Sequence, residues 1–222
     1  MLAKVASLVA FSASIAFAGT ALAQSTPKPP PQPTPAELAF VDGVQKDLMQ
    51  RFPIVADALK AGYFRYTNED TSGSISYANL QWQSSDPQHP SQLWYDVHGN
   101  LLGADFSVLA SESETAPSLW GVQSGRWHFL PAHIHYILPA QDGMETYGYV
   151  LAKKFVAAGG DASNPDAATL VKLGVTNAGE AKRIFLFPAL WDLSIWVKAN
   201  PNGAFAYLNP LVTPSADAGK NH

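Results

Sequence analysis

The sequence predicts an α+β fold: a single domain on a mostly antiparallel β-sheet, with helices at its N-terminal end and a helical insertion between two strand-rich regions. Three observations carry this. Aromatic and β-branched runs such as ISYANLQWQ, SQLWYDV, RWHFL and LSIWV recur through the middle and end of the chain, and such residues fit a pleated, half-buried surface. Turn-forming clusters separate them at hairpin distances. Helical periodicity is confined to the segment after residue 34 and to a block between residues 143 and 174. The strand content is compatible with barrel-like closure, and the absence of a fixed-period repeat argues against a solenoid or propeller.

Residues 1–23 read as a secretory signal peptide. Lys4 supplies an early positive charge, an apolar run extends from Val5 to about Ala18, and ALA at 21–23 offers a small-residue cleavage site. The run is shorter than the roughly 20 apolar residues that a spanning helix needs. Cleavage takes the first 23 of 222 residues and leaves 199; because it removes Lys4 and no acid, the formal charge moves from −4 to −5. The product is expected to be periplasmic or secreted, with no membrane insertion after cleavage. Residues 24–34 include PKPPPQPTP, expected to be a disordered linker of polyproline character that buries almost nothing.

The domain is expected over residues 35–212. Thr34 can cap a helix with Pro35 in its first turn, and Leu38, Val41, Val44 or Gln45, and Leu48 recur at helical spacing up to Phe52. Pro53 interrupts, and IVADALKAG gives a second short helix ended by Gly62. YFRY and ISYANLQWQ flank one turn, SQLWYDV and LLGADFSVL another, and each set reads as a hairpin; His98 then belongs to a turn. GMETYGYVLAKKFVAAGG reads as a helix stopped by Gly159 and Gly160, and NPDAATLVKLG as a shorter one capped by Asn164 and ended at Gly174. RIFLFPALWDLSIWV, which contains Pro188 and Asp192, fits one or two buried strands better than a membrane span. DLSIWVKA, NPNG and AFAYL read as a last hairpin, and 213–222 as a free polar tail.

Composition removes several classes of function. Without cysteine there are no disulfides, no thiolate chemistry and no lipid-modified N-terminal cysteine. A mature chain of this length can bury a core without such staples. Lys and Arg, 14 against 18 acids, are scattered rather than gathered into the basic patch of a nucleic-acid binder. No G-x-S-x-G elbow, G-x-x-x-x-G-K-[ST] loop, H-E-x-x-H or G-x-G-x-x-G is present, so no motif names a reaction. Six Trp, eight Tyr and eleven Phe are expected mostly in the core. An aromatic surface remains as the alternative: a non-catalytic module that binds carbohydrate, an apolar ligand or copies of itself.

Three of the six histidines fall within RWHFLPAHIHYIL. On a strand, His133 and His135 lie side by side on one face with Ile134 on the other. In a cysteine-free chain a metal site must use imidazole, carboxylate and water, and a histidine pair suits zinc, copper, nickel or iron. Glu145 is a candidate third ligand. So are His128, whose strand parity is opposite unless Pro131 brings a bulge, and His98. An ion held this way is expected to leave on acidification through the histidine range.

The pair resembles the metal-binding strand of cupin barrels, in which two histidines separated by one residue are followed closely by a glutamate. The resemblance covers only His133 and His135: Glu145 comes ten residues after the pair and Gly125 sits at another offset, so the cupin assignment is not carried over. A small-ligand or acid/base role and a hydrogen-bonded structural role stand beside the metal reading. Asp192, a carboxylate among apolar residues, reads as a hydrogen-bonded structural group. The sequence leaves catalysis open and is compatible with a homo-oligomer.

Mass spectrometry of the protein recovered from its own host is expected to find Gln24 at the mature N-terminus. An intact 1–23 segment in the mature form would overturn the export reading.

Overall fold

The structure, a computed structural model, describes residues 31–139 and 145–219. The expected signal peptide and all but the last residues of the expected linker lie outside the described residues.

Helix α1 (Pro35–Arg51) begins as its sequence asks. Thr34 is extended at φ −73° and ψ 162°; its Oγ1 accepts from Glu37 N at 3.2 Å, while its own N donates to Glu37 Oε2 at 2.8 Å. This is a capping box with Pro35 in the first turn. The inward stripe is Glu37, Val41, Val44 and Leu48. Leu38, expected to face the core, is instead 56% exposed. Glu37 takes its place because its Oε1 also accepts from Arg126 Nε at 3.1 Å and from Gln123 N at 3.2 Å, tying the helix to a distant loop. Burial pushes this carboxyl up, but the bonds from Arg126, Thr34 and Gln123 hold it below the usual carboxylate range. Helix α2 (Val55–Lys60) follows Pro53, and Gly62 ends it at φ +89°, a conformation that favours glycine.

The strands form two antiparallel sheets. The first contains β1 (Phe64–Arg65), β2 (Ile75–Ala78), β3 (Gln92–Tyr95), β4 (Leu101–Leu109) and β5 (Trp127–Leu130), with β9 (Leu190–Trp196) inserted between β4 and β5. The second is β6 (His133–Leu138) flanked by β7 (Thr146–Leu151) and β8 (Arg183–Phe187). Both sheets are open, so the barrel-like closure is not observed. Pro131 and Ala132 separate β5 from β6 and carry the chain from one sheet to the other, which is where a residue without a backbone N–H is tolerated.

Both middle hairpins form, β1 with β2 and β3 with β4. Elsewhere the local reading is corrected. The stretch expected as one helix from residue 143 is strand β7 followed by a short helix, α3 (Ala152–Ala157), because Tyr147 to Leu151 pair along β6. Residues 140–144 lie outside the described residues. Helix α4 (Ala167–Lys172) is capped by Asp166, whose Oδ1 accepts from Thr169 N at 2.7 Å, not by Asn164. The NPNG turn closes, with Gly203 N donating to Asn200 O at 2.9 Å, but AFAYL forms no strand. One backbone bond, Trp196 N to Ala204 O at 2.8 Å, crosses the turn, and the Trp196 indole donates to Ala206 O at 2.7 Å. The tail is not free over its described part: Ser215 N donates to Glu69 Oε1 at 2.8 Å and Gly219 N to Glu69 O at 2.8 Å.

Strand alternation makes two different faces of the large sheet. Leu93, Tyr95, Ala104, Phe106, Val108, Leu193 and Ile195 pack against Val41, Val44 and Leu48 of α1. The opposite parity carries the polar Gln92, Asp105, Ser107, Asp192 and Ser194 together with the paired indoles of Trp94 and Trp196. Toward the β1 end this second face meets the small sheet through Tyr66, Ala78, Leu190, Phe185 and Phe187. The other side of the small sheet is covered by α3 and α4 through Ile134, Phe155 and Leu170.

Chemical denaturation of three single variants tests this account of α1. Glu37→Ala leaves the Arg126 guanidinium buried without its carboxylate and is expected to cost about 3–5 kcal/mol. Thr34→Ala removes the cap and is expected to cost about 1 kcal/mol. Leu38→Ala is expected to stay within about 0.5 kcal/mol. A Leu38 variant less stable than the Glu37 variant would contradict it.

Candidate functional site

The site begins with β6. His133 and His135 face the same way, with ring centroids 4.7 Å apart. Their Cα partners on β8 are Phe187 and Phe185, and His135 pairs with Tyr149 on β7, so five ring-bearing residues share one face. Each imidazole stacks on its phenylalanine: His133 on Phe187 at 5.2 Å and 17°, His135 on Phe185 at 5.3 Å and 16°. Tyr66, just past β1, closes the far side with its ring perpendicular to His135 at 4.8 Å. On β7, Gly148 is opposite Tyr136, whose ring occupies the space a Cβ would need.

The two imidazoles differ in their hydrogen bonds. His133 Nδ1 lies 2.7 Å from the Pro131 carbonyl oxygen; a carbonyl only accepts, so Nδ1 carries the proton and Nε2 keeps its lone pair. His135 is 4% exposed, and its Nδ1 has no hydrogen-bond partner. Burial lowers the pKa of both. For His133 the Pro131 carbonyl opposes the shift; for His135 burial and then the neighbouring His133 push it down to about 3, against an opposing effect of the Gly148 carbonyl. Both rings are therefore neutral at ordinary pH.

The ring of His135 lines a cavity of about 510 Å³ between the 66–71 turn and strands β6 and β7. Asn68, Glu69, Asp70, Tyr147 and Tyr149 also line it, and the side-chain amide nitrogen of Asn68 is a second buried polar atom with no partner. A larger cavity, about 600 Å³, lies beside α1 with Asp47, Arg51 and His89 in its wall. Its polar groups already satisfy one another: Arg51 binds Asp47, and His89 Nδ1 lies 2.7 Å from Asp86 Oδ2 while its ring stacks on Trp82. The smaller cavity therefore has the stronger claim to a ligand.

Of the residues expected from sequence, the structure brings His133 and His135 together. Glu145 sits beyond the opposite end of β6, where Thr146 pairs with Leu138, and binds Lys182 Nζ at 2.7 Å and the Tyr147 hydroxyl at 2.6 Å. Those two bonds, Lys182 first, hold its carboxyl below the usual range. His128 is on edge strand β5 of the other sheet, exposed and opposite Asp192. His98 lies in the β3–β4 turn, its backbone N bound to Asp96 Oδ1 at 2.9 Å. Among the described residues no group of three His, Asp or Glu side chains could hold a metal ion. The six tryptophans are buried or half-buried, whereas Tyr149 and Tyr207 are exposed at 61% and 90%.

Sequence reasoning missed what stands behind Tyr66. Its hydroxyl donates to Gln92 Oε1, and Gln92 Nε2 donates to Asp192 Oδ2 at 3.2 Å. Ser107 Oγ donates to Asp192 Oδ1 at 2.5 Å, and the facing pair repeats the motif, Ser194 Oγ donating to Asp105 Oδ1 at 2.6 Å. A signal was available: D-x-S occurs in both strands, at Asp105–Ser107 and Asp192–Ser194, and antiparallel pairing sets each Asp opposite the other strand's Ser. Burial pushes the Asp105 carboxyl up to about 6 against its bonds from Ser194 and Trp94. Burial, reinforced by the charge of Asp105, pushes Asp192 well above the carboxylate range.

Compared with protein-family models, with curated proteins and with solved structures, the chain matches none.

A carboxyl whose pKa is raised by folding stabilises the fold below the unfolded range near 4 and loses that contribution as pH rises through the folded value. Asp192→Asn keeps the shape and stays neutral. Its melting temperature relative to wild type is expected to improve steadily between pH 4.5 and pH 8, by at most about 1.4 kcal/mol of stability per pH unit. A difference independent of pH would show that Asp192 is ionised in the folded protein.

Proposed function

We propose that the protein is exported and works as a small-ligand binding module, its ligand held in the cavity walled by His135, Tyr66, Tyr147 and Tyr149. The supporting observation is His135, a buried side chain that lines a cavity large enough for a small molecule and whose Nδ1 has no hydrogen-bond partner in the protein. An unmet buried hydrogen-bonding group costs about 1–3 kcal/mol, and a bound ligand that supplies the partner recovers that cost.

A second reading, a transition-metal centre, is favoured by one observation. With its Nδ1 committed to Pro131, His133 presents a lone pair on Nε2, and the two rings lie 4.7 Å apart. Zinc or another divalent ion could take two imidazoles there only with further donors from water or from the ligand itself.

One set of melting curves separates these from a purely structural pair. In the binding reading His135→Phe fills the same aromatic box without the unmet nitrogen and is expected to stabilise the protein, by about 1–3 kcal/mol. A structural histidine predicts the opposite sign. The wild-type midpoint is expected not to move with zinc, copper or nickel. A rise with zinc that disappears in both His133→Ala and His135→Phe would transfer the assignment to a metal centre.

A further inference from the structure

The reading of the cavity as a ligand site can be carried to the class of ligand, and the inference here rests on that reading. Among the described residues the cavity is lined by two carboxylates, Glu69 and Asp70, four tyrosines and no lysine or arginine. Each carboxylate keeps acceptor capacity. Glu69 receives two bonds, both from Ser215, and the three bonds to Asp70 all fall on Oδ1, from Ser72 N, Ser72 Oγ and Ser74 N. An ionised carboxylate can accept about four.

Among the described residues the nearby bases are committed elsewhere, Arg183 lying 3.8 Å over the Phe64 ring. Arg65 donates its Nε to Thr67 O at 2.9 Å and lies 4.9 Å over the Tyr147 ring; Lys182 pairs with Glu145. Tyrosine rings present negative π-faces, and Arg65 over Tyr147 shows one of them already attracting a cation. His135 is neutral and buried, so it offers an acceptor rather than a repelling charge.

From these features we infer that the ligand is a small organic ammonium ion, an amine with at least one N–H. Its charge is balanced by Glu69 and Asp70, its N–H is donated to the unpartnered Nδ1 of His135, and its apolar body lies against Tyr147 and Tyr149. The Asn68 amide donates to a hydroxyl or carbonyl oxygen where the ligand carries one. A carboxylate or phosphate would meet two like charges and, among the described residues, no lysine or arginine in the wall.

Three probes of nearly one shape test this: 2-phenylethylammonium, neutral 2-phenylethanol and anionic phenylacetate. Each is titrated into the full chain at pH 7 while backbone amide shifts of the 66–71 turn and β7 are followed by NMR. The ammonium is expected to bind at least tenfold more tightly than the alcohol, with phenylacetate weakest. Asp70→Asn retains an acceptor for the turn bonds and is expected to cut ammonium affinity about threefold or more while leaving the alcohol unchanged. Equal binding of amine and alcohol, or preference for the anion, would overturn the ammonium inference and leave the cavity standing as a ligand site. Failure of all three probes to shift those amides also overturns the ammonium inference, whereas the ligand-site reading is decided separately by the sign of the His135→Phe effect.

Discussion

The pairing of β4 with β9 is the constraint on which the rest of the structure depends. It joins residues 101–109 to residues 190–196, and at its centre Asp105 is opposite Ser194 while Ser107 is opposite Asp192. Two carboxylates are thus buried on one face of a sheet whose other face is packed with Phe106, Val108, Leu193 and Ile195. A slip of β9 by one residue would turn Asp192 into that apolar core and carry Leu193 and Ile195 to the opposite face. Burying an unpartnered carboxylate is far more costly than losing a few packing contacts, so these polar rungs fix the register more strictly than apolar alternation alone could. What they add is specificity of pairing rather than net stability, which buried polar groups seldom supply.

That register also positions the site. Once β4 holds Asp105 and Ser107 in place, β3 brings Gln92 beside them, and Gln92 spans from Asp192 to the Tyr66 hydroxyl. Tyr66 is held at its polar end, so its ring is set against His135 and stacked on Phe187 at 5.8 Å. The small sheet supplies the opposite wall, and its own alternation sorts His133, His135, Phe185 and Phe187 onto the side facing Tyr66. Ile134 goes with the core beneath α3 and α4. The cavity exists because the two sheets approach through aromatic rings, which fill the β1–β8 contact but leave the space beside the 66–71 turn open.

Features encoded within a few residues were legible in the sequence. The Thr34 cap, the β3–β4 turn with its Asp96 bonds and the shared face of His133 and His135 each depend on neighbours in the chain, and the structure contains all three. Features decided by distant partners were not. The run from Thr146 to Leu151 has a helix-compatible pattern but is drawn into strand by β6, since tertiary pairing outweighs a weak local preference. Leu38 has the right spacing to face inward, yet Glu37 is turned in by Arg126, 89 residues away. Gln92 and Asp192 are 100 residues apart, so no local pattern could join Tyr66 to that chain, although the repeated D-x-S was there to be read.

The same burial decides what kind of group the histidine pair is. An exposed imidazole titrates near 6.5 and suits a switch that releases its ligand in mild acid. Here stacking on Phe185 and Phe187 removes water from the rings and lowers both pKa values, that of His135 to about 3. Across the ordinary pH range His135 therefore keeps one proton-free nitrogen. The histidine pair does not respond to small changes in acidity near neutrality. In the proposed site the placement of one lone pair, two carboxylates and the tyrosine rings traces back through Tyr66 and Gln92 to the Asp–Ser rungs between β4 and β9.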